Sequence, residues 1–179
     1  MAILEAIQTV YLEATAVASV TFEDLDDYSY DHLQLRMSVK TTNTADDVVM
    51  GEMRFGDEDG ISTAGYTTQR MYGENTTEAA AIDEATDAAR WYVMATSKAG
   101  VTAADYSANI LNIFDYQSTV KNVTWTMLGG VDSAATGGYA AFQGGIWVKP
   151  TLAKPMTQFY VSNTNLARGS EFSLYGIQD

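Results

Sequence analysis

The chain closes on Arg168-Gly169-Ser170-Glu171-Phe172-Ser173-Leu174-Tyr175-Gly176-Ile177, and no other stretch constrains the fold as much. Phe172 and Leu174, with Ile177 near the end of the run, alternate with polar or small residues. This is the pattern of a strand that buries one face. The strand starts straight after a Gly-Ser turn and stops two residues before the final Asp179. A domain that finishes on a core strand is expected to carry no tail for targeting or tethering.

The same reading extends along the chain. Val, Thr, Tyr and Ile dominate many short segments, and there are only two prolines. Strands are expected at Ala6–Leu12, Ala18–Glu23, His32–Lys40, Val48–Phe55, Tyr66–Tyr72, Arg90–Ser97, Asn109–Asp115, Thr119–Met127, Ala140–Lys149, Met156–Ser162 and Glu171–Ile177. Turn signals between them are Thr42-Asn43, Asp59-Gly60, Gly129-Gly130, Gly137-Gly138 and Asn163-Thr164-Asn165. Many short strands at this spacing point to an all-β sandwich or barrel. No repeat or composition break divides residues 1–179, so one domain is expected. One stretch departs from the pattern. Residues 77–89 are rich in Ala and Glu, with Thr77 as a cap and Glu78 near the start, which predicts a short helix or helical loop.

Composition narrows the partners. Charged residues make up 18% of the chain, below the roughly 25% of ordinary soluble domains. A large subunit interface accounts for this, and so does a Thr/Ser/Asn-rich β surface. With 23 acids against 10 bases the formal charge is −13. Neither a phosphate backbone nor an anionic membrane suits such a surface. Eleven of the 23 acids lie between Glu23 and Asp59, as a solvated acidic face or as one that meets a basic partner. There is no cysteine, so no disulfide or thiolate site, and assembly in a reducing cytoplasm is expected. No segment approaches the ~20 apolar residues of a membrane helix. The Met1-Ala2-Ile3-Leu4-Glu5 start lacks the basic region of a signal peptide.

Residues that could carry chemistry are sparse. His32 is the only histidine, sits inside an expected strand, and reads as a hydrogen-bonded structural residue. One histidine without a thiol argues against zinc. Asp57-Glu58-Asp59-Gly60 and Glu23-Asp24-Leu25-Asp26-Asp27 are the cation candidates, since carboxylates on adjacent loops can ligate Ca²⁺. Any metal is expected to be weakly held Ca²⁺ at Asp57, Glu58 or Asp59. The alternative is exposed turn carboxylates. Trp91, Trp125 and Trp147 could stack on a sugar, but each lies among apolar residues and reads as core or subunit contact. No catalytic residue and no cofactor is expected.

Several motifs share a source. The closing GS-x-FSLYGI resembles the end of a widespread family of small bacteriophage virion proteins. Tyr30-Asp31-His32-Leu33-Gln34-Leu35-Arg36 is similar to that family's Y-x-HLQLR strand. Met53-Arg54-Phe55-Gly56-Asp57, followed by Tyr66, stands where the family has RFNGD and NYS. Ile113-Phe114-Asp115-Tyr116 with Lys121 is similar to its I-x-DY…K, and Gly145-Ile146-Trp147 to its G-x-W strand. Asp57–Gly60, which lacks an Asn, and residues 76–89 depart from the pattern. The resemblance implies an antiparallel, jelly-roll-like β-sandwich in a phage particle and no catalytic residue. The expected function is a capsid cement or decoration protein on the outer surface of the virion. It would be made in the host cytoplasm, form a homo-oligomer (a trimer), and contact the major capsid protein or other virion proteins. The alternative is a tail or head-fibre module that recognises host surface glycans.

Overall fold

The structure, a computed structural model, describes residues 3–14, 16–43, 48–74, 77–83, 89–95, 106–133 and 137–178. These residues form β1 (Ile3–Tyr11), β2 (Val17–Phe22), β3 (His32–Val39), β4 (Val48–Asp57), β5 (Gly60–Ile61), β6 (Tyr66–Glu74) and β7 (Thr77–Asp83). They continue with β8 (Ala89–Ala95), β9 (Ser107–Phe114), β10 (Val123–Ser133), β11 (Gly137–Trp147), β12 (Gln158–Leu166) and β13 (Glu171–Gln178). A single 3-10 turn at Leu25–Asp27 is the only helical element among them.

The strands make an antiparallel sandwich. The large sheet runs β1-β13-β3-β9-β10-β11-β6-β7, and the small one β2-β12-β4-β5, with β8 also on β4. The chain crosses between sheets repeatedly, jelly-roll-like: β1 and β3 lie in the large sheet, β2 and β4 in the small one. Strands are present at all eleven places expected from the sequence, with boundaries shifted by up to six residues, the largest shift being at β10.

Alternation places the core. Along β3, Leu33, Leu35, Met37 and Val39 are buried, while Gln34, Arg36 and Ser38 turn outward. β13 aligns Leu174 with Leu35 and Phe172 with Met37, and β9 aligns Leu111 with Leu35 on the other side. The small sheet answers with Phe22, Phe55, Phe159 and Val161. Phe22 and Phe159 stack at 5.0 Å, and Phe55 meets Trp147 of the large sheet at 5.9 Å. Fully burying each such side chain contributes about 1.5–3 kcal/mol. Trp125 and Trp147 are both in this core, and Trp91 has a side chain outside the described residues. The Trp125 ring needs a glycine opposite: a Cβ at Gly145 would stand 2.7 Å from its Cζ2 and would overlap the Thr67 carbonyl.

Expectations of a helix and of turns are corrected. The helix or helical loop near 77–89 does not form over 77–83, which are strand β7, paired with β6 from Glu74↔Thr77 to Thr68↔Asp83. Residues 84–88 lie outside the described residues. A two- or three-turn helix is marginal alone, and the open edge of β6 offers Thr77–Asp83 a ladder of backbone partners, so pairing overrides propensity. Gly137-Gly138 opens β11 and Asn163-Thr164-Asn165 lies inside β12, so neither is a turn, and Gly129-Gly130 is not a turn either. β10 runs through it to Ser133, paired to β11 on one side and β9 on the other. With both edges bonded, the ladder holds the glycines extended.

Candidate functional site

The motif residues meet at one corner. The Asp115 backbone N–H donates to His32 Nδ1 at 3.1 Å, and the His32 ring sets its edge against Phe114 at 5.5 Å. The Asp31 N–H donates to the Ile177 carbonyl at 3.0 Å, so the HLQLR strand and the closing strand are tied beyond their pairing. Tyr30 lies flat on Gly176, where a Cβ would overlap its ring. Asp115 takes a left-handed backbone conformation, φ 53°, and its carboxylate pairs with Lys121 at 3.0 Å. Tyr116 is buried, with its hydroxyl donating to the Leu25 carbonyl at 3.2 Å, and burial pushes its pKa up to about 12. Each motif residue here holds one element against another. His32 is hydrogen-bonded, as expected from its place in the strand.

The acidic loops converge on a second place. Glu23, Asp24, Asp26 and Glu58 line one open pocket of about 320 Å³ with Thr157 and Gln158. The expected cation residues are turned to other partners, however. Asp57 is buried, and its Oδ1 accepts the Asp59 N–H at 2.9 Å, closing the turn. Glu58 and Asp59 both grip Lys154 Nζ, at 2.9 and 2.6 Å, and the Asp59 contact, then the Glu58 contact, holds that ammonium above the ordinary lysine value. Among the described residues, no three acids or histidines are grouped so as to hold a metal ion.

Lys149, beside these loops, was not singled out from the sequence. It is 4% exposed, and its Nζ donates to the carbonyls of Leu152 at 3.0 Å, Lys154 at 2.9 Å and Ser118. Burial lowers its pKa, opposed by the nearby Asp57 charge. All three ammonium protons are used, so Lys149 clamps the 149–156 loop.

The third place is the outer face of the large sheet. Strand register aligns its outward side chains in rows that cross β9, β10, β11 and β6. One row is Ala108, Gly130, Ala140 and Gly73. The next is Ile110, Leu128, Phe142 and Met71, which are 41%, 60%, 48% and 59% exposed. Then come Asn112, Thr126, Gly144 and Gln69, and after them Phe114, Thr124, Ile146 and Thr67. None of these four rows carries a charge, on a chain of net charge −13. Toward β3 and β13 the face becomes polar. Gln34 Nε2 donates to Asn112 Oδ1 at 2.8 Å, Arg36 Nε donates to Gln34 Oε1 at 2.8 Å, and Arg36 lies 4.7 Å over the Tyr175 ring. An open groove of about 600 Å³ follows the small-residue row here, with Ser38, Ala108 and Gly130 along it and Leu128 and Tyr175 at its sides.

The apolar row has a sequence signal. In Asn109–Asp115, Ile110 and Phe114 are apolar on the face opposite Leu111 and Ile113, more than a half-buried strand needs. Its assembly into a row depends on register between strands distant in sequence.

No family model matches the chain, and no curated protein sequence matches it. Among solved structures it is similar to the marine PL-14 alginate lyase from Aplysia kurodai. The identity is 9% over 83% of this chain and 70% of that one, with a TM-score of 0.31. It is also similar to the CBM2 module of the evolved Dit of Lactobacillus casei BL23 phage J-1, 10% identical over 96% of this chain and 77% of that one, with a TM-score of 0.28. At these scores neither likeness carries an argument about function, and the all-β fold stands on the strand pairing itself.

Proposed function

We propose that this chain is a structural protein of a tailed-bacteriophage virion, a cement or decoration protein bound to the outside of the capsid shell. The observation that supports this most is the motif corner. The residues through which the chain resembles phage virion proteins (Tyr30, His32, Asp115, Tyr116, Gly176) serve packing and strand connection. A protein whose shared residues maintain a framework fits a mechanical task. That task is to bury area at subunit contacts, each Å² of apolar surface contributing roughly 25 cal/mol before association costs. An excess of 13 acids makes an approach to packaged DNA unfavourable, which supports the outer surface. The low charged fraction, 18% of the chain, supports attachment by apolar burial over attachment by ion pairs.

The test is the particle. Purified virions are washed in moderate NaCl and in sulfate, and the protein that remains is measured. Retention in both is expected, because apolar contacts persist in salt whereas exposed ion pairs are screened over about 8–10 Å. Absence of the protein from purified particles, or tight DNA binding at physiological salt, would overturn the proposal; loss in NaCl alone would replace the apolar mode with an ionic one.

A module for host glycans is the second reading. Tyr175, with Arg36 over its ring beside the 600 Å³ groove, favours it. The burial of Trp125 and Trp147, the rings best suited to stacking on a sugar, weighs against it. Glycan-array binding that disappears in Tyr175→Ala would reverse the preference.

A further inference from the structure

We propose that the outer face of β9, β10, β11 and β6 is an isologous interface, on which a second copy of this chain docks about a two-fold axis. The axis lies in the interface plane, parallel to the Ala108-Gly130-Ala140-Gly73 row and the Ile110-Leu128-Phe142-Met71 row, and midway between them.

The geometry follows from register. Adjacent rows on one sheet face are two residues apart, roughly 6.8 Å. A half-turn about the midline exchanges the positions of the two rows. Leu128 of one copy then lies over the partner's Gly130, Phe142 over the partner's Ala140, and Met71 over the partner's Gly73. The large side chains of each copy meet the small residues of the other across the whole width of four strands. The groove along Ser38, Ala108 and Gly130 is the hollow that Leu128 and Ile110 of the partner would enter. A face that carries both the ridge and the matching furrow is complementary to itself, which is the requirement of a two-fold contact.

Charge supports the same occupant. A basic partner has nothing to pair with on the two rows beside the axis, and an acidic copy of this chain meets no charge there to repel it; the next row, of Asp132 and Gly138, arrives over the uncharged Thr126 and Gly144 of the partner. At the edge the half-turn adds an attraction. Arg36 shares the apolar row's level on β3, and Ser38 shares the small row's level, with Glu171 beside Ser38 on β13. The partner's Arg36 therefore arrives over Ser38, next to Glu171, and the symmetric pair forms on the other side. The area is also sufficient. Strands roughly 4.8 Å apart and roughly 27 Å long give β9, β10, β11 and β6 a footprint of roughly 520 Å², and the edge strands β3 and β13, which carry Arg36 and Glu171, bring it to roughly 780 Å², near the ~800 Å² per partner of a standard interface. This pairing is independent of the virion reading, because it concerns the purified protein rather than the particle.

Sedimentation equilibrium over low to high micromolar protein should give a mass of two chains. Leu128→Glu and Gly130→Leu, one removing the ridge and one filling the furrow, should both give the mass of one chain. Both positions face outward, so the melting curves of the separated chains report that folding is intact. The chain has no native cysteine. Leu128→Cys should thus join two copies through a short bis-maleimide, since the two sites lie one row step apart, roughly 7 Å laterally. Val120→Cys, 77% exposed and outside this face, should not. A monomer at high micromolar concentration, a trimer, or a dimer unchanged by Leu128→Glu and not linked through Leu128→Cys would overturn the proposal.

Discussion

The two faces of the large sheet are built by the same strands and have opposite fates. On β10, Val123, Trp125 and Met127 point inward and are buried, while Thr124, Thr126 and Leu128 point outward. The inner face meets Phe55 and Phe159 of the small sheet. The outer face carries Ile110, Leu128, Phe142 and Met71 and has no layer over it from the described residues. Apolar character on a strand therefore does not decide burial; the presence of a second layer does. On the inner face side-chain shape is matched by a neighbour already in the chain, so each change there acts on folding. On the outer face the same side chains have nothing to lose until another surface arrives.

Substitutions separate the two faces, and the largest effect belongs inside. Leu35→Asp or Leu174→Asp places an unpaired carboxylate between the sheets, and neither variant is expected to fold. Soluble protein with wild-type melting would refute the core position of both strands. Trp147→Ala, at a residue with no exposed surface, is expected to cost about 3–5 kcal/mol in denaturant unfolding. Tyr66→Phe keeps the ring stacked on Trp147 but deletes the hydroxyl that accepts the Phe55 N–H at 2.8 Å. A loss of about 1–3 kcal/mol is expected from the buried amide left unpaired.

The alkaline limb offers a finer probe of the interior. Burial raises the Tyr116 pKa to about 12, above the ordinary tyrosine value of 10.0. The folded state thus prefers the protonated phenol. Its stabilising effect is complete below pH 10 and declines as the pH rises toward 12, with a slope of up to about 1.4 kcal/mol per pH unit. Melting at pH 9, 10 and 11 should show the decline beginning above 10, with a shallower slope in Tyr116→Phe. The smallest effect lies outside. Leu128→Glu should change monomer stability by no more than about 0.5 kcal/mol, because its surroundings are solvent. A large destabilisation there would mean that the outer face is packed within a single chain, and the contrast between the faces would collapse.

The strands were legible because period-two alternation is written locally: Leu33, Leu35 and Met37 mark β3, and Phe172 and Leu174 mark β13. Residues 77–83 were misread because helix propensity is also local, whereas the β6 edge that captures them is a tertiary fact. Gly129-Gly130 resembles a turn until strands on both sides bond it. The acidic loops were recognisable as clusters, but Lys154, which neutralises Glu58 and Asp59, lies far along the chain. Lys149 had no signal at all, since nothing in Ile146-Trp147-Val148-Lys149 indicates that three carbonyls will surround the ammonium. The outer rows needed registers from three strand pairs, which alternation within any one strand does not contain.

The position of β13 has a consequence for synthesis. It pairs on one side with β1, from Ile3↔Gln178 to Tyr11↔Glu171, and on the other with β3. β1 is thus completed by a strand that follows it by about 160 residues. At 5–20 residues per second, β1 waits roughly ten to thirty seconds for its neighbour. During that interval β1 and one edge of β3 present open backbone, the usual template for wrong pairing between nascent chains. A ribosome that stalls before Glu171 releases a product in which neither strand can be satisfied. Cellular quality control would encounter such a fragment as an exposed edge, and the arrival of about eight residues is what removes it from view.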